Sequence, residues 1–273
     1  MTTTNRVKTG IAELDEMLSG GFLERDAVIV AGAEGTGKTT LGLQYVVNGA
    51  TRYGENGIYV TFEELPDQIY RDAKSFGWDL RSLEDQDKLR VVCTSPKLVL
   101  ASHEGVHLLD SFIQEVHARR IVIDSLSHVA MFLSTEAFRQ EAYRLIMYLK
   151  TKRLSSLLLA ESSQSAGFTG PIAEGGAGFL ADAIVLLKPV EIDSAMRNAL
   201  AILKQRGSDY DKRLREYTIT ASHGITIAGQ FKGYDSIMSG SARKTITDEI
   251  LGSWTRSMGE SKGASKPRVR SRP

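Results

Sequence analysis

The chain has 273 residues, 42% of them hydrophobic and 25% charged, and a net charge of +1, which is the composition of an ordinary soluble globular protein with a sizeable core. No apolar run approaches the roughly 18 residues needed to span a bilayer, and the polar residues 1–8 predict no signal peptide. A single cysteine, Cys93, excludes an internal disulfide, so we expect a cytoplasmic protein without membrane insertion.

Short β-rich apolar runs alternate with longer amphipathic stretches, which predicts an α/β domain with a mostly parallel central sheet flanked by helices. The predicted parallel strands are Ala27–Gly32, Gly57–Phe62, Leu89–Cys93, Arg120–Ser125, Ser155–Ala160 and Ala183–Leu187. Helical spacing of apolar residues predicts helices over Thr39–Ala50, Leu65–Phe76, Val106–His117 and Ala137–Lys150. Turn residues favour antiparallel C-terminal edge strands at Ala199–Lys204, Arg215–Ile219 and Ile225–Ile227.

A phosphate-binding motif follows the first of these strands. Residues 32–39 read GAEGTGKT, a complete G-x-x-x-x-G-K-[ST] match between a predicted strand and a predicted helix. Lys38 is expected to reach the β- and γ-phosphates of ATP, and the Thr39 hydroxyl to ligate Mg²⁺. An ordinary glycine turn is the alternative. The residues expected to hold the nucleotide through an anion nest are Gly32, Gly35, Thr36, Gly37, Lys38, Thr39 and Thr40.

Acidic residues end two further predicted strands. Asp124 follows the apolar run IVI at the edge where open α/β sheets bind ligands, so it is a candidate to hold Mg²⁺. Glu63 and Glu64 end the strand before Pro66, and such a pair can activate a water, with repulsion raising the pKa of one carboxyl. Alone, Asp124 also suits a turn or helix cap, and the glutamates equally suit a helix N-terminus.

In this order the motifs resemble the KaiC branch of the RecA-like ATPases, from about Val7 to Ser241. TFEE resembles the paired catalytic glutamates of that family, IVIDSLS its Walker B strand, and AESS (residues 160–163) its sensor strand. The resemblance implies that Glu63 and Glu64 are the catalytic pair. It also implies that Glu161 and Ser162 lie near the γ-phosphate.

The segment LKQRGS resembles the K-x-R-G-[ST] strand of the same family, whose Lys and Arg reach into the ATP site of the neighbouring subunit. The resemblance assigns Lys204 and Arg206 this trans-acting role. Without it, both would be solvated cations on an edge strand. A trans-acting role requires a homo-oligomer, and the family implies a ring, usually a hexamer. The expected function is a nucleotide-driven switch or signalling ATPase, even a slow one, with protein partners.

Two features depart from the clock proteins of this family. Those proteins carry two such domains in tandem, whereas this sequence holds one. The segment GGAGFLADAIVLLKPVE resembles the region of the phosphorylated Ser–Thr pair, but Gly178 and Phe179 stand at those positions and have no hydroxyl. Autokinase activity is therefore not expected.

Two other classes of function compete with an ATPase switch. A RecA-type recombinase needs cations around its DNA, but Ser125–Phe138 and Ser162–Leu187 contain no Lys or Arg, so nucleic acid is not favoured. Phe168 or Phe179 of the Gly-rich segment 165–179 could still stack on bases. A non-hydrolysing ATP-binding scaffold is the other class, and the intact glutamate pair argues against it.

The C-terminal residues differ in composition from the rest. Residues 241–273 hold eight Lys and Arg against Asp248, Glu249 and Glu260, and contain few apolar residues. We therefore predict an ATPase domain over residues 1–240 and a basic, largely disordered tail over residues 241–273. A solvated terminus and a contact with nucleic acid or an acidic partner both remain open for this tail.

Overall fold

A computed structural model of the chain describes residues 5–100, 104–162, 177–231, 233–235, 237 and 243–244. Its strands are β1 (Arg6–Val7), β2 (Phe22–Leu23), β3 (Ala27–Gly32), β4 (Gly57–Thr61), β5 (Leu89–Cys93), β6 (Arg120–Asp124), β7 (Ser155–Glu161), β8 (Ala183–Ile192), β9 (Ala195–Gln205), β10 (Arg215–Thr220), β11 (Gly224–Gln230), β12 (Tyr234–Asp235) and β13 (Arg243–Lys244). Its helices are α1 (Ala12–Met17), α2 (Lys38–Asn48), α3 (Pro66–Ser75), α4 (Leu80–Asp85), α5 (Pro96–Leu100), α6 (Glu104–Glu115), α7 (Leu126–Met131), α8 (Thr135–Thr151) and α9 (Ala177–Leu180), with a π-helical turn at Gly49–Tyr53.

The main sheet of the described chain has nine strands in the order β11-β10-β9-β8-β3-β7-β6-β4-β5. The pairs from β8 to β5 are parallel, and the pairs β8–β9, β9–β10 and β10–β11 are antiparallel. This confirms the predicted α/β fold with a mostly parallel sheet and antiparallel C-terminal edge strands. None of the helices described has both the length and the apolar character that a membrane crossing requires.

Side-chain alternation along β3 divides the core into two layers. Val28 and Val30 pack into the layer that contains Leu41 of α2, whereas Ile29 packs into the layer that contains Phe138 of α8. Because successive side chains of a strand point to opposite faces, α2 and α8 cover opposite faces of the sheet. The phosphate-binding motif and its helix therefore belong to one face only.

The element bounds differ from the sequence-based expectation mainly at one hairpin. The sequence predicts strands over residues 183–187 and 199–204, but β8 and β9 run on to form a hairpin that ends at Ile192 and Ala195. Lys188, Pro189 and Arg197 interrupt the apolar pattern there, so periodicity alone could not show the pairing. The predicted disorder of the tail 241–273 and the predicted role of the segment 165–179 lie largely outside the described residues.

Candidate active site

The backbone after β3 adopts the curled path that an anion nest requires. Gly35 and Gly37 have φ values of +73° and +84°, in the left-handed region that favours glycine. Gly37 is also the N-cap of α2, so the first N–H groups of that helix have no partner within it. The Thr36 hydroxyl donates to the Ala33 carbonyl at 2.7 Å and closes the loop on itself. The local geometry therefore suits an anion at the start of α2.

Neighbouring strands hold this loop in place. A Cβ on Gly32 would lie 2.5 Å from Thr36 Oγ1 and 2.8 Å from the Leu187 carbonyl oxygen of β8, so only glycine fits there. The Tyr217 hydroxyl of β10 donates to the Thr36 carbonyl at 2.5 Å. The antiparallel extension of the sheet thus fixes the position of the phosphate-binding loop. Sequence reasoning did not identify Tyr217.

Lys38 lies close against the same loop. Its ammonium group donates to the Gly32 carbonyl at 3.0 Å and the Ala33 carbonyl at 2.9 Å. Burial lowers the pKa of Lys38, while the negative charges of nearby carboxylates, Glu161, Asp124 and Glu34, oppose this shift. The structure therefore brings the predicted lysine, the loop and several acids together at one end of the sheet.

Asp124 joins the motif to the neighbouring strands. Its Oδ2 atom accepts hydrogen bonds from the Thr39 hydroxyl at 2.8 Å and from the Tyr59 hydroxyl at 2.6 Å. Tyr59 is fully buried, and this burial together with the charge of Asp124 raises the pKa of Tyr59 well above its usual value, so its hydroxyl remains a donor. Sequence reasoning missed Tyr59. The signal that could have found it is a tyrosine inside a buried strand, which needs a partner for its hydroxyl.

The turn after β4 places both glutamates at the same edge. Thr61 pairs with Asp124 in the parallel register of β4 and β6, and its hydroxyl accepts from the N–H groups of Glu63 at 3.3 Å and Glu64 at 3.1 Å. Burial raises the pKa of Glu64, and the negative charges of Asp124, Asp72 and Glu63 raise it further. Repulsion was the cause we expected from the sequence, but burial is the larger one.

Glu63 faces a cleft of about 400 Å³ beside the phosphate-binding loop. Its side chain is 71% exposed, and Oε2 lies 3.3 Å from Nε2 of His128. Glu161 ends β7 level with Gly32 and also lines the cleft, and the N–H of Ser162 donates to the Gly32 carbonyl at 3.1 Å. The cleft is lined by Glu34, Glu63, Ser127, His128, Ala130, Met131 and Glu161.

Lys204 and Arg206 are not brought to this site within one chain. Lys204 of β9 is paired with Ile184 of β8, and Ile184 is paired with Ile29 of β3. Lys204 therefore lies on the face of the sheet that α8 covers, level with a residue three positions before the end of β3. Its Nζ donates to the Gly178 and Ala181 carbonyls at 2.9 and 2.7 Å. Arg206 donates to the Phe179 carbonyl at 2.7 Å. Both cations therefore lie on the opposite face of the sheet from α2.

A cluster of charges surrounds Arg206 at the start of β3. Asp182 Oδ2 accepts from the Ala27 N–H at 2.9 Å and lies 2.6 Å from Lys150 Nζ, while Arg206 is 3.8 Å from Oδ1. Asp26 lies beside this group and is only 9% exposed. Burial and then the negative charge of Asp182 raise the pKa of Asp26 to about 6.

The raised pKa of Asp26 predicts how stability depends on pH. The folded state binds a proton at Asp26 more tightly than the unfolded chain does, so this stabilisation is lost as the pH rises from about 4 towards 6. We expect Asp26→Asn to raise the free energy of unfolding by roughly 1–3 kcal/mol at pH 8 and hardly at all at pH 4. Urea unfolding at both pH values measures this. The exposed Asp85→Asn is the control, and an equal gain at both pH values would contradict the prediction.

Comparisons with known proteins identify the family of the chain. The family model described as "ATPase: KaiC" matches residues 7–232. The chain is 36% identical over 244 residues to the circadian clock oscillator protein KaiC of Rippkaea orientalis, and equally to those of Synechococcus elongatus and Nostoc sp.. Each match covers 89% of this chain and 46% of the relative, so the chain spans about half the length of these curated relatives. With its phosphate-binding loop, acidic strand ends and RecA-like sheet, the chain belongs to the KaiC family of P-loop ATPases.

Proposed function

We propose that this chain binds ATP with Mg²⁺, hydrolyses it slowly and acts as a nucleotide-driven switch within a ring of identical subunits. One observation carries the proposal: the Thr39 hydroxyl donates to Asp124 Oδ2 at 2.8 Å. This contact lies beside the loop whose carbonyl groups accept hydrogen bonds from Lys38. A hydroxyl from the start of a helix and a carboxylate from a strand end are the pair that P-loop enzymes use for the metal.

The residues of the site fit Mg·ATP. The curled loop and the start of α2 would hold the phosphates, and Lys38 would pair with the β- and γ-phosphates. Thr39 and Asp124 would hold Mg²⁺. Among the described residues, no group of three or more His, Cys, Asp or Glu side chains converges as a metal cage would, which suits an ion that keeps several waters. When bound, Mg²⁺ would neutralise phosphate charge.

Glu63 and Glu64 are the groups that we propose to act on the attacking water. Glu64 is partly buried with a raised pKa, which brings its proton affinity nearer to that of an effective base at neutral pH. Glu63 reaches the cleft and is available to orient the water or share the proton. The pair follows the strand residue that is in register with Asp124, which supports the proposal that it lies beside the terminal phosphate.

The ring supplies the remaining charges. Lys204 and Arg206 lie on the face of the sheet opposite α2, so they cannot complete the site of their own chain without a large movement. We propose that they reach the ATP of a neighbouring subunit, where a cation stabilises the charge of the transferring phosphate. The ring is a hexamer in this proposal. It acts in the cytoplasm with protein partners, in keeping with the single free and exposed thiol of Cys93.

Hydrolysis measured against assembly tests this proposal. Purified protein is assayed for phosphate release over a concentration series, and its mass is followed by light scattering with and without Mg·ATP. We expect specific activity to rise as rings form, because each site needs two subunits. Full activity in a monomer would overturn the trans role of Lys204 and Arg206. Rings that bind ATP without turnover would instead support a non-hydrolysing scaffold.

A further inference from the structure

We propose that His128 is a positioning residue for ATP hydrolysis, which holds the carboxylate of Glu63 in the cleft beside the phosphate-binding loop. The inference rests on the proposed ATPase function and deepens it. His128 lies on α7, in the first turn after the strand that carries Asp124. Its Nε2 lies 3.3 Å from Glu63 Oε2, and its Nδ1 lies 3.0 Å from the Ser125 hydroxyl oxygen.

The chemistry of the two partners determines which ring nitrogen of His128 carries the proton. A carboxylate can only accept, so Nε2 of His128 must carry the proton that faces Glu63. In a neutral ring, Nδ1 is then the acceptor, and the Ser125 hydroxyl donates to it. Ser125 is only 3% exposed, so it holds the ring from the buried side. The contacts therefore run in one direction, from the Ser125 hydroxyl through the His128 ring to the Glu63 carboxylate.

Glu63 needs such support more than Glu64 does. The Glu63 side chain is 71% exposed, and a long exposed side chain populates many rotamers. Glu64 is partly buried and therefore restricted by its surroundings. A histidine that holds Glu63 in one orientation reduces the ordering that would otherwise be needed at the moment of reaction. His128 thus acts through Glu63, while the loop of residues 32–39 binds the nucleotide.

This division of roles predicts a change in kcat without a change in KM. We expect His128→Leu, which removes the donor but keeps an apolar side chain, to lower kcat about three- to tenfold because one charge-assisted contact to an exposed group is lost. His128→Gln can place an amide donor where Nε2 stood and should stay within about threefold of the unaltered protein. In both variants KM for ATP should change less than about twofold, since neither substitution removes a group that we expect to bind ATP.

Two further measurements separate this role from a merely structural one. In a Glu63→Gln background, His128→Leu should lower kcat no further, because the group on which it acts is gone. His223→Gln, at an exposed histidine in the turn between β10 and β11, is the control and should leave kcat unchanged. Thermal unfolding of each variant, measured in parallel, shows whether the fold is intact.

Each outcome decides the inference. Unchanged kcat in a folded His128→Leu variant overturns it, as does a His128→Gln variant that is as slow as the leucine variant. A rise in KM at constant kcat would place His128 in nucleotide binding instead and also overturn it. If His128→Leu is normal while replacing both glutamates stops turnover, the inference fails and the proposed ATPase stands. If the unaltered protein shows no turnover, both the inference and the proposed ATPase function fail.

Discussion

Replacing Glu63 and Glu64 together by glutamine is expected to slow ATP hydrolysis at least about 100-fold, the lower end of what a positioned general base contributes. Glutamine keeps the shape of each side chain but cannot accept a proton. The main-chain bonds from both residues to the Thr61 hydroxyl do not involve the carboxylates, so the turn after β4 should survive. Lys38, Thr39 and the loop are unchanged.

Nucleotide binding is the internal control for this double substitution. Titration with a fluorescent ATP analogue should give a dissociation constant within about threefold of the unaltered protein, because the contacts that bind ground state and transition state alike remain. The two single variants show how much each glutamate contributes to hydrolysis, since Glu64 has the raised pKa and Glu63 has the exposed carboxylate. Turnover that survives in the double variant would refute the catalytic assignment and leave both residues as acids at the start of α3.

Replacing Lys204 and Arg206 together by methionine should also abolish most turnover, by at least about 100-fold, since a trans-acting cation contributes 10³ or more in related phosphoryl transfer. Methionine retains an apolar stem but removes both charges. In one chain these charges bind the carbonyls of Gly178, Phe179 and Ala181, so thermal unfolding must accompany the assay. The variant Lys212→Met, on the loop after β9, is the control for the loss of a nearby cation.

A mixing experiment tests whether those cations act across a subunit boundary. A glutamate-deficient subunit still offers Lys204 and Arg206, and a cation-deficient subunit still offers Glu63 and Glu64. When equal amounts of the two inactive variants assemble at random, about one quarter of the interfaces combine the two intact halves. Activity should therefore return to about one quarter of that of the unaltered ring. If mixed rings of verified composition recover no activity, the two cations either act on the ATP of their own chain or have only a structural role.

Local sequence patterns were enough to select the residues at the centre of the candidate site. The loop at residues 32–39 and Asp124 were recognisable because the chemistry needs contiguous residues at fixed offsets from a strand. Tyr59 and His128 were not, because each is brought to the site by a side-chain contact between elements distant in sequence. The Tyr59–Asp124 contact depends on the pairing of β4 with β6, and the His128–Glu63 contact depends on how α7 leaves β6. Such contacts have no signature along the chain.

The limits of the hairpin β8–β9 show a second reason for incomplete prediction. Pro189 usually argues against an internal strand, yet here it pairs with Asn198 in a long antiparallel ladder. The apolar alternation that defines a strand fails where Lys188 and Arg197 replace apolar residues. Tertiary pairing, which the local pattern does not encode, therefore decides where these strands end.

The placement of the phosphate-binding loop and the Lys204–Arg206 pair on opposite faces of one sheet has a consequence for stoichiometry. Because the two surfaces lie on opposite faces, the trans contact that we propose joins subunits head to tail, so each contact is heterologous and completes a single site. An open string of such subunits always has one complete site fewer than it has subunits, whereas closure makes the two numbers equal. Removing one subunit from a closed assembly therefore eliminates two sites, which makes turnover a sensitive measure of whether the assembly is intact.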